Sequence, residues 1–202
     1  MPEIDPQSIK IVADPKSGTS CVFTVDRPVY ADNSFYFGSK ESAEGSPLAE
    51  KIFAISGIKS LLIAHNRITV TKEGFEEWVP VARQIGQAVR QHVVSGVPAV
   101  SDEIRARTPA SEEIRRRVQD VFDRRINPAI AAHGGIVNLI DVQGNTIFIQ
   151  MGGGCQGCGM ADVTLKQGIE VEIRSAVPEV GEILDTTDHA AGRNPYYTPS
   201  RK

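Results

Sequence analysis

Cysteine is scarce in this 202-residue chain, which has three, an odd number. That excludes a disulfide scaffold and a fully paired set of bridges. No apolar run approaches the roughly 20 residues that a membrane-spanning helix needs, so no membrane partner is expected. An excess of positive charge is also missing. Lys and Arg number 22 against 25 Asp and Glu, and the net charge of −3 gives no electrostatic reason to expect a nucleic-acid partner. The opening Met1-Pro2-Glu3-Ile4-Asp5 lacks the basic and apolar stretches of a secretory signal and the arginines of a transit peptide. A soluble chain in the reducing cytoplasm is expected. No nucleophile–base pair, phosphate loop or carboxylate dyad stands out, so an enzyme is not expected.

What is present is an ordinary globular composition, 41% apolar and 23% charged. Its length suggests two domains of roughly 100 residues each. In residues 1–97 two short strands are predicted, Ile9 to Ala13 and Cys21 to Val25, around a turn with Asp14-Pro15 and Gly18. Residues from Ser34 to Gly45 read as irregular. Ser46-Pro47 has the chemistry of a helix start, Leu48, Ile52, Phe53 and Ile55 supply an apolar face, and Gly57 stops the helix. Two strands follow, Ile58 to Ala64 and Arg67 to Thr71, joined at His65-Asn66, then a helix from about Glu76 to Val94 that ends at Gly96. The order is β-β-α-β-β-α.

Residues 98–110, with two prolines and few large apolar side chains, read as a linker. Residues 111–202 then give α-β-β-α-β. A helix carries Ile114, Val118, Val121, Phe122 and Ile126, with Asn127-Pro128 re-capping its last turn. A hairpin turns at Gly144-Asn145, a helix from about Ala161 to Val177 carries Leu165, Ile169, Ile173 and Val177 on one seam, and Val180 to Leu184 adds an edge strand. The fold class is α+β, two small layered domains.

Two features have plain structural readings. Arginines cluster at 115–117, 124 and 125, and Glu112 with Arg116, Glu113 with Arg117 and Asp120 with Arg124 stand at a spacing of four, which predicts a self-paired, solvated helix face. Cys21 alternates with Phe23 and Val25, which predicts a buried small apolar side chain. Trp78 is expected as a core or domain-interface anchor.

Cys155 and Cys158 differ. They form a C-x-x-C between a predicted strand and a helix, whose unpaired N–H groups and positive dipole end favour thiolate over thiol. Thiolate ligates iron or zinc and also attacks disulfides. Glycines at 152, 153, 154, 157 and 159 let backbone amides approach a bulky ligand such as an inorganic sulfide. A thiol–disulfide oxidoreductase more usually places its pair after the first strand of a βαβ unit, whereas a hairpin precedes this one. A [4Fe–4S] cluster or a structural zinc takes four ligands and the loop offers two. The simplest completion is two chains pairing, each giving Cys155 and Cys158. Iron–sulfur binding, thiol–disulfide exchange and a dimeric zinc module all stay open on the residues alone. Asp162 and Lys166, next on the helix, are candidates to tune a bound charge, and His133 is a weaker candidate ligand or proton relay.

The stretch Gly153-Gly154-Cys155-Gln156-Gly157-Cys158-Gly159-Met160 with Asp162 to Glu170, together with Ile126-Asn127-Pro128, His133-Gly134-Gly135 and Val177-Pro178-Glu179-Val180, resembles the C-terminal domain of NifU and the Nfu-type iron–sulfur carriers. Gly192-Arg193-Asn194-Pro195-Tyr196-Tyr197 is similar to the tail of bacterial members. Ser46-Pro47-Leu48-Ala49, Ile52-Phe53, Gly57-Ile58-Lys59-Ser60, Ile68 to Lys72 and Ser95-Gly96-Val97-Pro98 resemble the Nfu N-terminal domain. The resemblance implies a [4Fe–4S] cluster, one per homodimer and held by Cys155 and Cys158 of both chains, with [2Fe–2S] as the other nuclearity. It also implies receipt from an upstream donor scaffold and delivery to apo-proteins. Many members have Asp-Gly-Gly at His133-Gly134-Gly135, and many have Pro at Gly159.

Overall fold

The computed structural model of the chain describes residue 5 and residues 8–132, 134–153 and 159–186, with the backbone alone at residues 32, 153 and 159–164. It divides into two units, Met1–Thr108 and Pro109–Lys202.

The first unit holds a five-stranded antiparallel sheet in the order β1-β2-β5-β4-β3. The strands are β1 Ile11–Pro15, β2 Ser20–Val25, β3 Tyr30–Phe37, β4 Ile58–His65 and β5 Arg67–Lys72. Helices α1, Pro47–Phe53, and α2, Trp78–Ser95, contribute Leu48, Ile52, Ile85 and Val89 to its core. Each helix ends as its residues dictate. Ser46 Oγ accepts from the Ala49 N–H ahead of Pro47, and Gly96 closes α2 at φ 65°. The β4–β5 turn has His65 in the left-handed region, φ 51°. Alternation places Cys21, Phe23 and Val25 in the core as expected. Trp78 is a core residue. Its ring meets Phe23 edge-on at 6.4 Å and its Nε1 donates to the Ser17 carbonyl at 3.0 Å.

Two expectations need correction here. Strand β3 occupies part of the segment read as irregular, so the order is β-β-β-α-β-β-α. Asp32-Asn33-Ser34 hides it, because a register shift between Tyr30 and Ser34 breaks the period-2 pattern before Phe35 and Phe37 turn inward. Residues 98–110 are also not a bare linker. Ala99 and Val100 are buried in the first core, Ser46 Oγ donates to the Ala99 carbonyl at 2.7 Å, and Ser101 caps a short helix, α3, Asp102–Ala106.

The second unit runs α4 Ser111–Val121, a π-helical turn Phe122–Ile126, α5 Asn127–Ala131, β6 Gly135–Gln143, β7 Thr146–Gly153, α6 Gly159–Ala176 and β8 Ile183–Asp185. The sheet order is β6-β7-β8, with β6 antiparallel and β8 parallel to β7. Val137, Val142, Ile147, Ile149 and Met151 on one face meet Ile114, Val118 and Phe122 and the expected seam of Ile169, Ile173 and Val177.

Candidate metal centre

The parallel pairing of β8 makes β7-α6-β8 a crossover unit, and residues 154–158 connect its first strand to its helix. The upstream hairpin therefore does not separate this chain from an oxidoreductase, because the stretch of sequence that carries both cysteines links the first strand of a parallel unit to its helix. Cys155 and Cys158 themselves lie outside the described residues, as do His133 and the tail from residue 187, and the side chain of Asp162 does so too. The frame on either side of the loop is described.

On the strand side, Gly153 pairs with Gly135 and Gly152 with Ile136. A Cβ on Gly152 would stand 3.0 Å from Ile136 Cγ2, so a side chain there would need the exposed Ile136 to give way. On the helix side, α6 begins at Gly159, the residue after Cys158, and runs 18 residues. Its N-terminal amides have no intrahelical acceptor and carry the positive end of the helix dipole.

Asn127 holds the entry to β6. Its Nδ2 donates to the Val137 carbonyl at 3.0 Å and its Oδ1 accepts from the Val137 N–H at 2.8 Å. The side-chain amide thus acts as one more strand residue against β6. The sequence suggested a re-capping role, but Asn127 has helical angles, φ −61° and ψ −42°. Pro128 supplies no N–H and its ring crowds the carbonyl four residues back, so the helix widens over Phe122–Ile126 instead of restarting. Gly134, φ 67°, then turns the chain into β6. The signal for this clamp was an Asn-Pro pair inside an apolar helical pattern, where an ordinary helix cannot pass.

The far end of α6 is tied just as firmly. Arg174 Nη1 donates to the Val180 and Gly181 carbonyls at 3.0 and 2.9 Å. Arg117 donates to Glu179 Oε1 at 3.0 Å and to the Ala176 carbonyl at 3.2 Å. Lys166 pairs with Asp185 at 2.8 Å, which joins α6 to β8. The arginine run is paired, though not wholly at the expected spacing. Arg115 and Arg116 meet Glu112 and Glu113 three residues back, Arg124 meets Asp120 four back, and Arg115 also reaches Asp141 at 2.8 Å.

Cys21 and His92 belong to the first unit. Cys21 is fully buried in the first unit, and burial pushes its thiol pKa up, away from thiolate. His92 is buried on α2, where desolvation, helped by the charge of Lys51, lowers its pKa to about 4. Among the described residues no three His, Cys, Asp or Glu side chains converge as metal ligands.

Two family models match the chain. Residues 118–184 match the NifU-like domain, and residues 9–96 match the N-terminal domain of scaffold protein Nfu/NifU. The chain is similar to the Fe/S biogenesis protein NfuA of Pseudomonas savastanoi pv. phaseolicola, 47% identical over 92 residues, which are 44% of this chain and 47% of that protein. It is similar to the NfuA of Stutzerimonas stutzeri, 43% identical over 116 residues, which are 57% of this chain and 56% of that one. The chain thus matches about half the length of these curated relatives. Among solved structures it is similar to the NifU-like protein of Saccharomyces cerevisiae, at 19% identity and a TM-score of 0.42, over 46% of this chain and 84% of that one.

Proposed function

The chain belongs to the Nfu-type NifU-like family, and on that premise we propose that it carries an iron–sulfur cluster on Cys155 and Cys158 and passes it to apo-proteins. The observation that supports this reading most is positional. In the sequence both cysteines lie between the end of β7 and the start of α6, and a helix N-terminus favours thiolate over thiol. Thiolate sulfur is the donor an iron–sulfur cluster needs, and two per chain is half of the usual set. Two chains therefore share one [4Fe–4S] cluster, and dimer formation and opening become part of loading and release. The cluster is cargo. Transfer exchanges one set of thiolates for another at the irons, without net oxidation or reduction. In this reading the N-terminal unit supplies no ligand, and the carrier works in the cytoplasm between a donor scaffold and its recipients.

Anaerobic reconstitution with ferrous iron and sulfide, followed by Mössbauer spectroscopy and sizing, tests the proposal. About two irons and two sulfides per chain are expected in a dimeric holo form, which corresponds to one [4Fe–4S] per pair. A monomeric holo form would defeat the shared site. Zinc retained in place of iron, or insulin-disulfide reduction at thioredoxin-like rates, would favour the rival chemistries.

A further inference from the structure

Phe75 lies between β5 and α2 and is 85% exposed, the most exposed large apolar side chain among the described residues. A single exposed apolar residue is ordinary. This one differs in how it is held. Lys72, at the end of β5, is 3% exposed, and a lysine is seldom so buried without partners. Its Nζ donates to the Gly74 carbonyl at 3.1 Å, stands 3.5 Å from Glu76 Oε2 and lies over the Trp78 ring. One ammonium thus fastens the residues on both sides of Phe75. Gly74 takes φ 71°, a left-handed bend that favours glycine. The Glu73 N–H donates to the Gly57 carbonyl at 2.7 Å and Trp78 Nε1 to the Ser17 carbonyl, so both ends of the loop are tied to neighbouring turns. A Cβ on Gly18 would stand 2.8 Å from Phe75 Cδ1, which places the ring beside the β1–β2 turn. Val79, near the start of α2, adds a second apolar side chain at 58% exposure.

The charge around this ring has one sign. Glu73, Glu76 and Glu77 flank Phe75 in the sequence and all three are exposed. Lys72 meets Glu76, and Lys16 of the adjoining turn is engaged by Asp14. Among the described residues no cation pairs with Glu73 or Glu77, neither Lys59 of β4 nor Arg83 of α2 included. We propose that Phe75 and Val79, with Glu73 and Glu77, form a docking surface for a protein segment that carries an apolar side chain between lysines or arginines. The apolar side chain covers the exposed ring, and the cations meet the two carboxylates or the face of the ring. The sign of the charge decides the occupant. A nucleic acid or an anionic lipid surface would be repelled by the carboxylates. A second copy of the chain is a poorer match, because its arginine run at 115–117, 124 and 125 is already paired with carboxylates of its own unit. The surface gives the first unit, which supplies no cluster ligand, a role in selecting a partner.

The test uses the full-length chain without iron, so its outcome is separate from that of the cluster proposal, whose own failure is read as absent iron. The probe is a short synthetic peptide of alternating leucine and lysine, with a leucine–glutamate peptide as the charge-reversed control. In an NMR titration at low salt the leucine–lysine peptide is expected to shift the Phe75 ring and the amides of residues 73–79, and the control to leave them unmoved. Phe75→Ser should weaken binding about tenfold, and Glu73→Lys with Glu77→Lys by about as much, both keeping the amide pattern of the five-stranded sheet. No binding, equal binding of the two peptides, or shifts centred elsewhere on the chain would overturn the proposal. Self-association in sedimentation that Phe75→Ser removes would make a second copy the occupant. Binding to phosphatidylglycerol vesicles that the same variant removes would make it a lipid surface, and either result overturns the proposal as well.

Discussion

The two units are built on one plan, a sheet with helices packed on it, yet they place sulfur in opposite settings. In the first unit Cys21 lies near the start of β2 with its side chain in the core, where burial holds it as a thiol. In the second unit Cys155 and Cys158 fall, in chain order, between β7 and α6, with glycines at 152, 153, 154, 157 and 159 around them in the sequence. The first unit, with five strands, buries two titratable groups, His92 on α2 and Lys72 on β5, each 3% exposed. Lys72 donates to the Gly74 carbonyl at 3.1 Å and lies 5.2 Å from the centre of the Trp78 ring. The other sheet has three strands and spends its charged groups on ties across its helices. The contrast teaches that a cysteine's chemistry is set by its place in an element, since strand interiors silence a thiol that a strand-to-helix turn would activate.

The sharpest way to break the comparison is to exchange its sulfurs. Cys155→Ala or Cys158→Ala should reduce reconstituted iron to background, whereas Cys21→Ala should leave iron per chain unchanged and only lower the melting temperature. Iron retained in the loop variants, or lost in Cys21→Ala, would reverse the assignment of the two environments.

Core deletions come next. Phe23 and Phe122 are each fully buried, one per unit, and Phe→Ala at either should cost about 3–5 kcal/mol. Trp78 is the sole tryptophan and lies beside Phe23, so its fluorescence should register Phe23→Ala and ignore Phe122→Ala. Iron loading should follow the reverse pattern.

A smaller effect separates the units by pH. His92 Nδ1 has no hydrogen-bond partner among the described residues, and its pKa of about 4 lies below the ordinary 6.5. Between those values the unfolded chain takes a proton that the folded chain refuses. The stability of the first unit is therefore full above pH 6.5 and falls as pH drops toward 4, by about 3 kcal/mol at the lower limit. Denaturant titrations followed by Trp78 fluorescence should show this loss, and His92→Leu should remove most of it.

Asn127→Ala is expected to cost about 1–3 kcal/mol, since it leaves the buried Val137 N–H and carbonyl without their side-chain partner. Amide exchange should accelerate at Val137 while β5 of the first unit is unaffected.

Much of this organisation was legible beforehand because its causes are local. Ser46-Pro47 and Gly96 mark helix ends, period-2 alternation marks β2 and β5, and the seam of Ile169, Ile173 and Val177 marks the buried face of α6. What escaped depended on distant partners. β3 is a strand only because β4 offers it a pairing edge, and Ala99 and Val100 are core only because the first unit has room for them. The parallel β8 converted an apparent hairpin-and-helix into a crossover unit.

The sequence by itself determined where the helices begin and end, which faces are apolar, and which two sulfurs adjoin a helix start. These follow from side-chain shape, caps and periodicity, which act within a few residues. Tertiary structure alone decided that Asn127 clamps β6, that Gly152 lies close against Ile136, and that Lys166 is joined to Asp185. Each of those roles is fixed by a partner ten or more residues away, and only packing brings such partners within hydrogen-bonding or van der Waals distance.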